Sequence, residues 1–330
     1  MVETAMHPVF ILSSRLNLGN ALSAYGSFCL LADEIKGAVL YDYFSNFQDL
    51  FSVENIKLFD PNNFIDNILI RDDIARLVKI QENSRFISKI ADFEIIHKDK
   101  YFCYSKYDES TVVLTRTSRY YSPLEAVDKT LLQNFAYVLV QKAYHMQYQI
   151  PRDSSALTSF FALSEKKKNI ICSSMIEYYP GEKTVIGIHV RHGDYMHWRS
   201  GRYWYTIKQY KKIIYSLEEA KSESAQILFY IASNADHTLN FKRFISAPRC
   251  KIFLSKASYI DDFIALSSST LIVGPPSSFG HWAAFLGKTK RYVLDSIEHQ
   301  KFVINEIVLD RLPIVTWPFS AGLKNDFWQE

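Results

Sequence analysis

The sequence predicts an α/β fold in two domains, and three observations predict it. At about 150 residues per domain, 330 residues make roughly two. The first forty residues alternate strand, helix and strand. The last third alternates apolar strands with amphipathic helices, which implies a parallel sheet with right-handed crossovers.

Taken in order, Val9–Leu12 is a short apolar strand, and Ser13–Asn20 is a polar loop holding Arg15, Gly19 and Asn20. Leu18, Leu22, Tyr25, Cys29 and Ala32 then recur at the spacing of one helical face. Gly37 stands where a helix-stopping residue belongs, and Ala38–Tyr43 is the next strand. The middle, from about Phe44 to Met175, has helical patterns at Asp73–Ile80 and Leu131–His145 among aromatic-rich loops, and no topology follows from it. Glu165–Lys168 is a charged surface segment. Pro180-Gly181 is a strong turn signal, and the domain boundary is placed there, giving domains 1–180 and 181–330.

The second half is regular. Strands are expected at Thr184–Val190, Gln226–Ala232, Lys251–Leu254, Thr270–Val273 and Arg291–Leu294. Helices are expected at Thr206–Lys221, Tyr259–Ser267 and Phe279–Leu286, the first with Ile207, Tyr210, Ile214 and Leu217 on one face. A short helix is expected after Ser233–Asp236, and Asp261 and Asp262 suit the positive end of theirs.

Composition narrows the function. Apolar residues at 48% support a sizeable core, and 22% charged residues exclude a disordered chain. A net charge of +3 argues against bulk-charge binding to nucleic acid but leaves room for a local anion site. Cys29, Cys103, Cys172 and Cys250 lie far apart, so neither a zinc ribbon nor a disulfide scaffold is expected. The N-terminus lacks a basic cluster and its apolar run is too short for a signal peptide. No window reaches the ~18 apolar residues of a membrane span. A cytoplasmic protein is expected, with peripheral membrane contact left open.

In open α/β sheets, ligands sit beyond the carboxyl ends of the strands. Three polar loops of the second half reach that rim: His189 to Tyr195, Ser233 to Asp236, and Pro275 to Phe279. The last runs straight into a helix, whose free N–H groups attract phosphate. Arg191 offers a permanently charged fork of donors. A diphosphate held by one arginine, a helix start and the hydroxyls of Ser277 and Ser278 needs no metal. His189, His192, Asp194 and His197 are not read as a metal cluster, because nothing distant completes a shell.

The string His189-Val190-Arg191-His192-Gly193-Asp194-Tyr195 resembles the HxRxGDY motif of α-1,2-fucosyltransferases, whose superfamily includes α-1,6- and protein O-fucosyltransferases. Ser13 to Tyr25 is similar to the family's N-terminal loop, and Asp262 to Leu286 to its late Ser-Ser/Thr-Phe and tryptophan-helix motif. The resemblance covers the first forty residues and about Thr184 to Leu294. Departures are Ala21 in place of glutamine, Asn234-Ala235 in place of two acids, His281 in place of an aromatic, and His192 where a second arginine is common. The last leaves Arg191 to carry the phosphate contact largely alone.

What the resemblance implies is a GT-B-like fold, two Rossmann-like domains facing across a cleft. It implies metal-independent, inverting transfer of fucose from GDP-fucose to a glycan hydroxyl, with α-1,2 linkage to galactose expected, and no cofactor besides that donor. Arg191 then contacts the β-phosphate and His189 donates or accepts a hydrogen bond in the nucleotide site. Ser277, Ser278 and Phe279 contact phosphate and nucleotide, and Ser233, Asn234 and Asp236 read ribose or guanine. Asp194 orients Arg191, caps the turn, or acts as general base; Asp42 is a speculative base. Arg15, Gly19 and Asn20 line the cleft, while Trp282 reads as core. Two alternatives stay open: a related transferase using another GDP-sugar or a protein hydroxyl, and a non-catalytic nucleotide- or glycan-binding protein.

Overall fold

The computed structural model describes residues 7–12, 16–40, 47, 50–51, 77, 93–117, 122–141, 143, 146–147, 155–181, 183–219, 226–235, 250–255 and 258–294. The chain divides into two compact units between Phe161 and Ala162. The expected boundary at residues 180/181 therefore leaves one helix on the wrong side, as described below.

The first unit opens with β1 (Val9–Leu12), α1 (Leu18–Ile35) and β2 (Ala38–Leu40), the predicted β-α-β unit. Helix α1 ends at Lys36, which takes the left-handed conformation at φ 57° in place of the expected Gly37. There follow β3 (Glu94–Lys98), β4 (Phe102–Lys106), β5 (Thr111–Arg116), β6 (Ser122–Pro123), α2 (Lys129–Leu132), β7 (Tyr137–Val140), β8 (Met146–Gln147) and α3 (Ser155–Phe160). The main sheet has the order β2-β1-β7-β5-β4-β3, and β3 and β4 run antiparallel. It is thus a mixed sheet with a parallel half.

Leu131–His145 is not the helix its pattern suggested. Among its described residues the α-helix stops at Leu132, and Tyr137–Val140 is a fully buried strand between β1 and β5. A strand covered on both faces reads as a continuous apolar run, which periodicity cannot separate from a helix. Asp73–Ile80 lies outside the described residues apart from helical Leu77.

The second unit begins with α4 (Glu165–Tyr178), capped by the Ser164 side chain. It packs on α6 (Tyr259–Ser267), so it belongs with this unit. The remaining elements are β9 (Thr184–Val190), α5 (Ile207–Glu219), β10 (Ile227–Ser233), β11 (Cys250–Leu254), β12 (Leu271–Gly274), α7 (Ser278–Gly287) and β13 (Lys290–Val293). Each strand and helix predicted here lies within two residues of its expected bounds. The short helix expected after Asp236 falls outside the described residues.

All pairings in this five-stranded sheet are parallel, in the order β11-β10-β9-β12-β13. Ile186, Ile188 and Val190 of β9 pack against Tyr210, Ile213, Ile214 and Leu217 of α5 in one buried core. Chain order runs outward from β9 to β11, then restarts on the other side at β12. The order therefore reverses between β9 and β12, and open α/β sheets bind ligands beyond the carboxyl ends of the strands at such a point. Among the described residues, no helix is long and apolar enough to cross a membrane.

Candidate functional site

Strand β9 delivers the site, because it is central and buried and its carboxyl end meets the reversal point. The loop that follows is held from three sides. Asn234, just past β10, accepts from the His192 N–H at 2.7 Å and donates Nδ2 to its carbonyl at 3.1 Å. The His192 ring reaches the Tyr205 carbonyl at 2.7 Å. The Tyr210 hydroxyl of α5 accepts from the Arg191 N–H and donates to the His189 carbonyl, each at 3.4 Å. Gly193 turns the chain at φ 64°, where an added Cβ would lie 3.2 Å from Asn234 Nδ2.

This frame presents Arg191. Its Nη2 lies 3.0 Å from Asp194 Oδ1 and 3.1 Å from Oδ2, and its guanidinium sits 5.4 Å from the Tyr195 ring centroid. The Arg191 Nε is buried and has no partner among the described residues. Asp194, the arginine's ion-pair partner, is 62% exposed.

Tyr195 ties that loop to the next one. Its hydroxyl donates to the Pro276 carbonyl, and Ser277 hydrogen-bonds to the same phenol. Burial pushes the Tyr195 hydroxyl up to about 12. Tyr195 thus links Arg191 to the loop that starts α7, on one lip of the second unit.

Two helix starts in this unit differ. Ser258 and Asp261 close a full capping box on α6. Ser277 occupies the same position on α7, yet its side chain makes no cap. First-turn N–H groups have no intrahelical acceptor, so an uncapped start beside a guanidinium suits an anion.

His189 lies under this start. It is 4% exposed, its ring packs 5.4 Å from Phe279, and its Nδ1 has no partner among the described residues. Burial, with Arg291 and Arg191 nearby, pushes it down to about 3, so the ring is neutral. A Cβ on Gly280 would lie 3.0 Å from that Nδ1.

Arg191 is not the lone cation the sequence implied. Arg291 of β13 is buried, and its Nη2 donates to the Pro275 carbonyl at 2.9 Å. The available signal was a charged residue inside a strand of a parallel sheet, where apolar runs are the rule.

The remaining candidates fall as follows. Ser233 Oγ accepts from the Ala235 N–H at 3.2 Å, and the Asn234 amide is spent on His192, so both brace loops here. Ser277, Ser278 and Phe279 stand together at the start of α7. Gly19 and Asn20 lie in the first turn of α1, in the other unit. Arg15, Asp42 and Asp236 lie outside the described residues. Trp282 is fully buried, as core. Among the described residues, no group of three or more His, Cys, Asp or Glu is placed to hold a metal ion.

A family model, glycosyl transferase family 11, matches residues 117–302, more than half of the chain. The chain belongs to glycosyl transferase family 11. The glycosyltransferase is also similar in fold to a mutant form of FUT1 from Arabidopsis thaliana in complex with GDP. That likeness has a TM-score of 0.54 at 15% identity and covers 89% of this chain and 71% of that one. It is similar as well to fucosyltransferase NodZ from Bradyrhizobium, with TM-score 0.48, 14% identity, and 88% and 95% of the two chains covered. POFUT1 in complex with GDP-fucose matches with TM-score 0.49, 11% identity and coverage of 84% and 93%. No curated protein matches this chain. The resemblance to the fucosyltransferase superfamily read from three loops is borne out, and the fold is α/β and GT-B-like.

Proposed function

We propose that this glycosyltransferase moves fucose from GDP-fucose to a hydroxyl of a glycan acceptor, galactose with α-1,2 linkage, inverting the anomeric carbon. One observation supports the reading most: Arg191 and the uncapped start of α7 stand on one lip at the sheet's reversal point. FUT1, which shares the fold, is named in a complex with GDP.

In this reading the acceptor oxygen attacks the anomeric carbon as its bond to the β-phosphate oxygen breaks. The bonding pair leaves with GDP. The acceptor proton passes to a base, for which Asp194 is the candidate in this unit. Negative charge grows on the diphosphate, where fixed positive groups stabilise it without reorganising. Arg191 supplies the charge and α7 the N–H donors, with Ser277, Ser278 and Phe279 around them, so the step asks for no metal. Acceptor contacts are assigned to the other unit, where Arg15, Gly19 and Asn20 are the candidates.

Replacing Arg191 with alanine should lower transfer by about 100- to 1000-fold, the range for loss of one such donor. The melting temperature should hold, since the guanidinium is partly exposed. Unchanged turnover would remove the reading. A panel of nucleotide sugars, scored by released nucleotide, tests the donor: turnover of GDP-mannose alone would replace fucose. GDP binding with no turnover on any acceptor would make the protein a binder.

A further inference from the structure

Arginine is almost never fully buried unless it is paired. Arg291, on edge strand β13, is 7% exposed. Its Nη2 holds the Pro275 carbonyl, and its Nε has no partner among the described residues. The groups around it come from three elements: His189 on β9, His281 on α7, and Arg191 with Tyr195 on the loop after β9. The first two are held neutral by burial, Tyr195 is a neutral phenol, and Arg191 is itself a cation. No described carboxylate acts on Arg291.

A buried charge without a counter-ion is costly, so its retention calls for an anion nearby. The guanidinium stands behind the Pro275–Pro276 bend, 3.5 Å from where a Gly280 Cβ would sit in the first turn of α7. It shares His189 and Tyr195 with Arg191: both cations act on each.

We propose that Arg291 is a positioning residue of the diphosphate site: it fastens the Pro275–Pro276 bend that sets the start of α7, and it adds a second fixed positive charge behind that start. The proposal rests on the donor reading for the identity of the anion. Arg291 is too deeply buried to be read as a direct contact. It acts through the Pro275 carbonyl, the neutral ring of His189 and the helix start, and it keeps the anion site positive.

The test is calorimetric titration of the full chain with GDP, inorganic pyrophosphate and guanosine, for the wild type, Arg291→Met and Arg291→Lys. Folded Arg291→Met should lose about 10-fold in affinity for GDP and pyrophosphate, the order expected of one unit charge acting through protein. Guanosine binding should hold within about 2-fold, since the nucleoside carries no phosphate. Equal weakening for guanosine, or no weakening at all, overturns the proposal.

Arg291→Lys is the milder change and tests the charge even if the methionine variant does not fold. Burial lowers a lysine's proton affinity. His189 at about 3, His281 well below its ordinary value and Tyr195 at about 12 do not titrate near neutral or mildly alkaline pH. The affinity of Arg291→Lys relative to wild type should therefore fall by about 10-fold between about pH 7 and pH 9.5. A flat ratio overturns the proposal, because a merely structural lysine would not impose that profile. Wild-type binding of pyrophosphate but not GDP would remove the donor reading and leave Arg291 in its role. Binding of neither would remove both.

Discussion

Asn234 is the residue on which the loop of Arg191 most depends. Its amide satisfies both the N–H and the carbonyl of His192, a buried residue. Replacing it with alanine removes the acceptor of the His192 N–H and leaves the carbonyl with the long 3.5 Å bond from the Tyr195 N–H, which should cost about 1–3 kcal/mol where water cannot reach them. A fall in the urea midpoint, together with loss of transfer, is the expected outcome. Gly193→Ala places a side chain at φ 64° and crowds Asn234, so about 1–2 kcal/mol should be lost there as well.

The buried histidines make stability pH-dependent. His189 is lowered to about 3 and His281 well below its ordinary value. The unfolded chain takes up protons at about 6.5, before the folded one does. Stability is therefore full above about pH 6.5 and falls as pH drops toward 3, by up to about 1.4 kcal/mol per pH unit for each ring. Asp262 works in the other direction. Burial raises it to about 6, so its unfavourable effect appears as pH rises from the unfolded carboxylate value through 6. Urea unfolding from about pH 7 to pH 4 should show the net loss from two histidines against one carboxylate. A level profile would contradict the burial of both rings.

At the scale of elements, the two serine-led helices of the second unit diverge. Ser258→Ala breaks the capping box on α6 and should cost about 1 kcal/mol, read as a lower melting temperature. Ser277→Ala removes no cap from α7, so its effect should be on nucleotide affinity more than on stability. Equal destabilisation by the two changes would mean that Ser277 caps after all.

The same elements explain what was legible in the sequence. The second unit alternates β-branched strands with helices carrying one apolar face, as in β9 and α5, and such periodicity reads directly. Tyr137–Val140 did not read, because a strand buried on both faces has no period of two. The β3-β4-β5 meander also stayed hidden, since its edge strand Glu94–Lys98 is largely exposed and has no apolar face to reveal it. In the site, Arg191 and the start of α7 were legible because strand ends and helix starts can be placed from sequence. Arg291 and the double use of Asn234 were not, since both depend on which loops meet across neighbouring strands.

For the whole molecule, a net charge of +3 over 330 residues makes positive charge a local feature. The second unit concentrates it: Arg191 and Arg291 act on the same His189 and Tyr195, beside an uncapped helix start at the sheet's reversal point. The proposed diphosphate site is built on these groups. A crystal structure of the protein with GDP is the most direct measurement. The account predicts the diphosphate within hydrogen-bond reach of Arg191 and of the first-turn N–H groups of α7, with Arg291 behind Pro275. A diphosphate seated elsewhere, with Arg191 still paired only to Asp194, would contradict it.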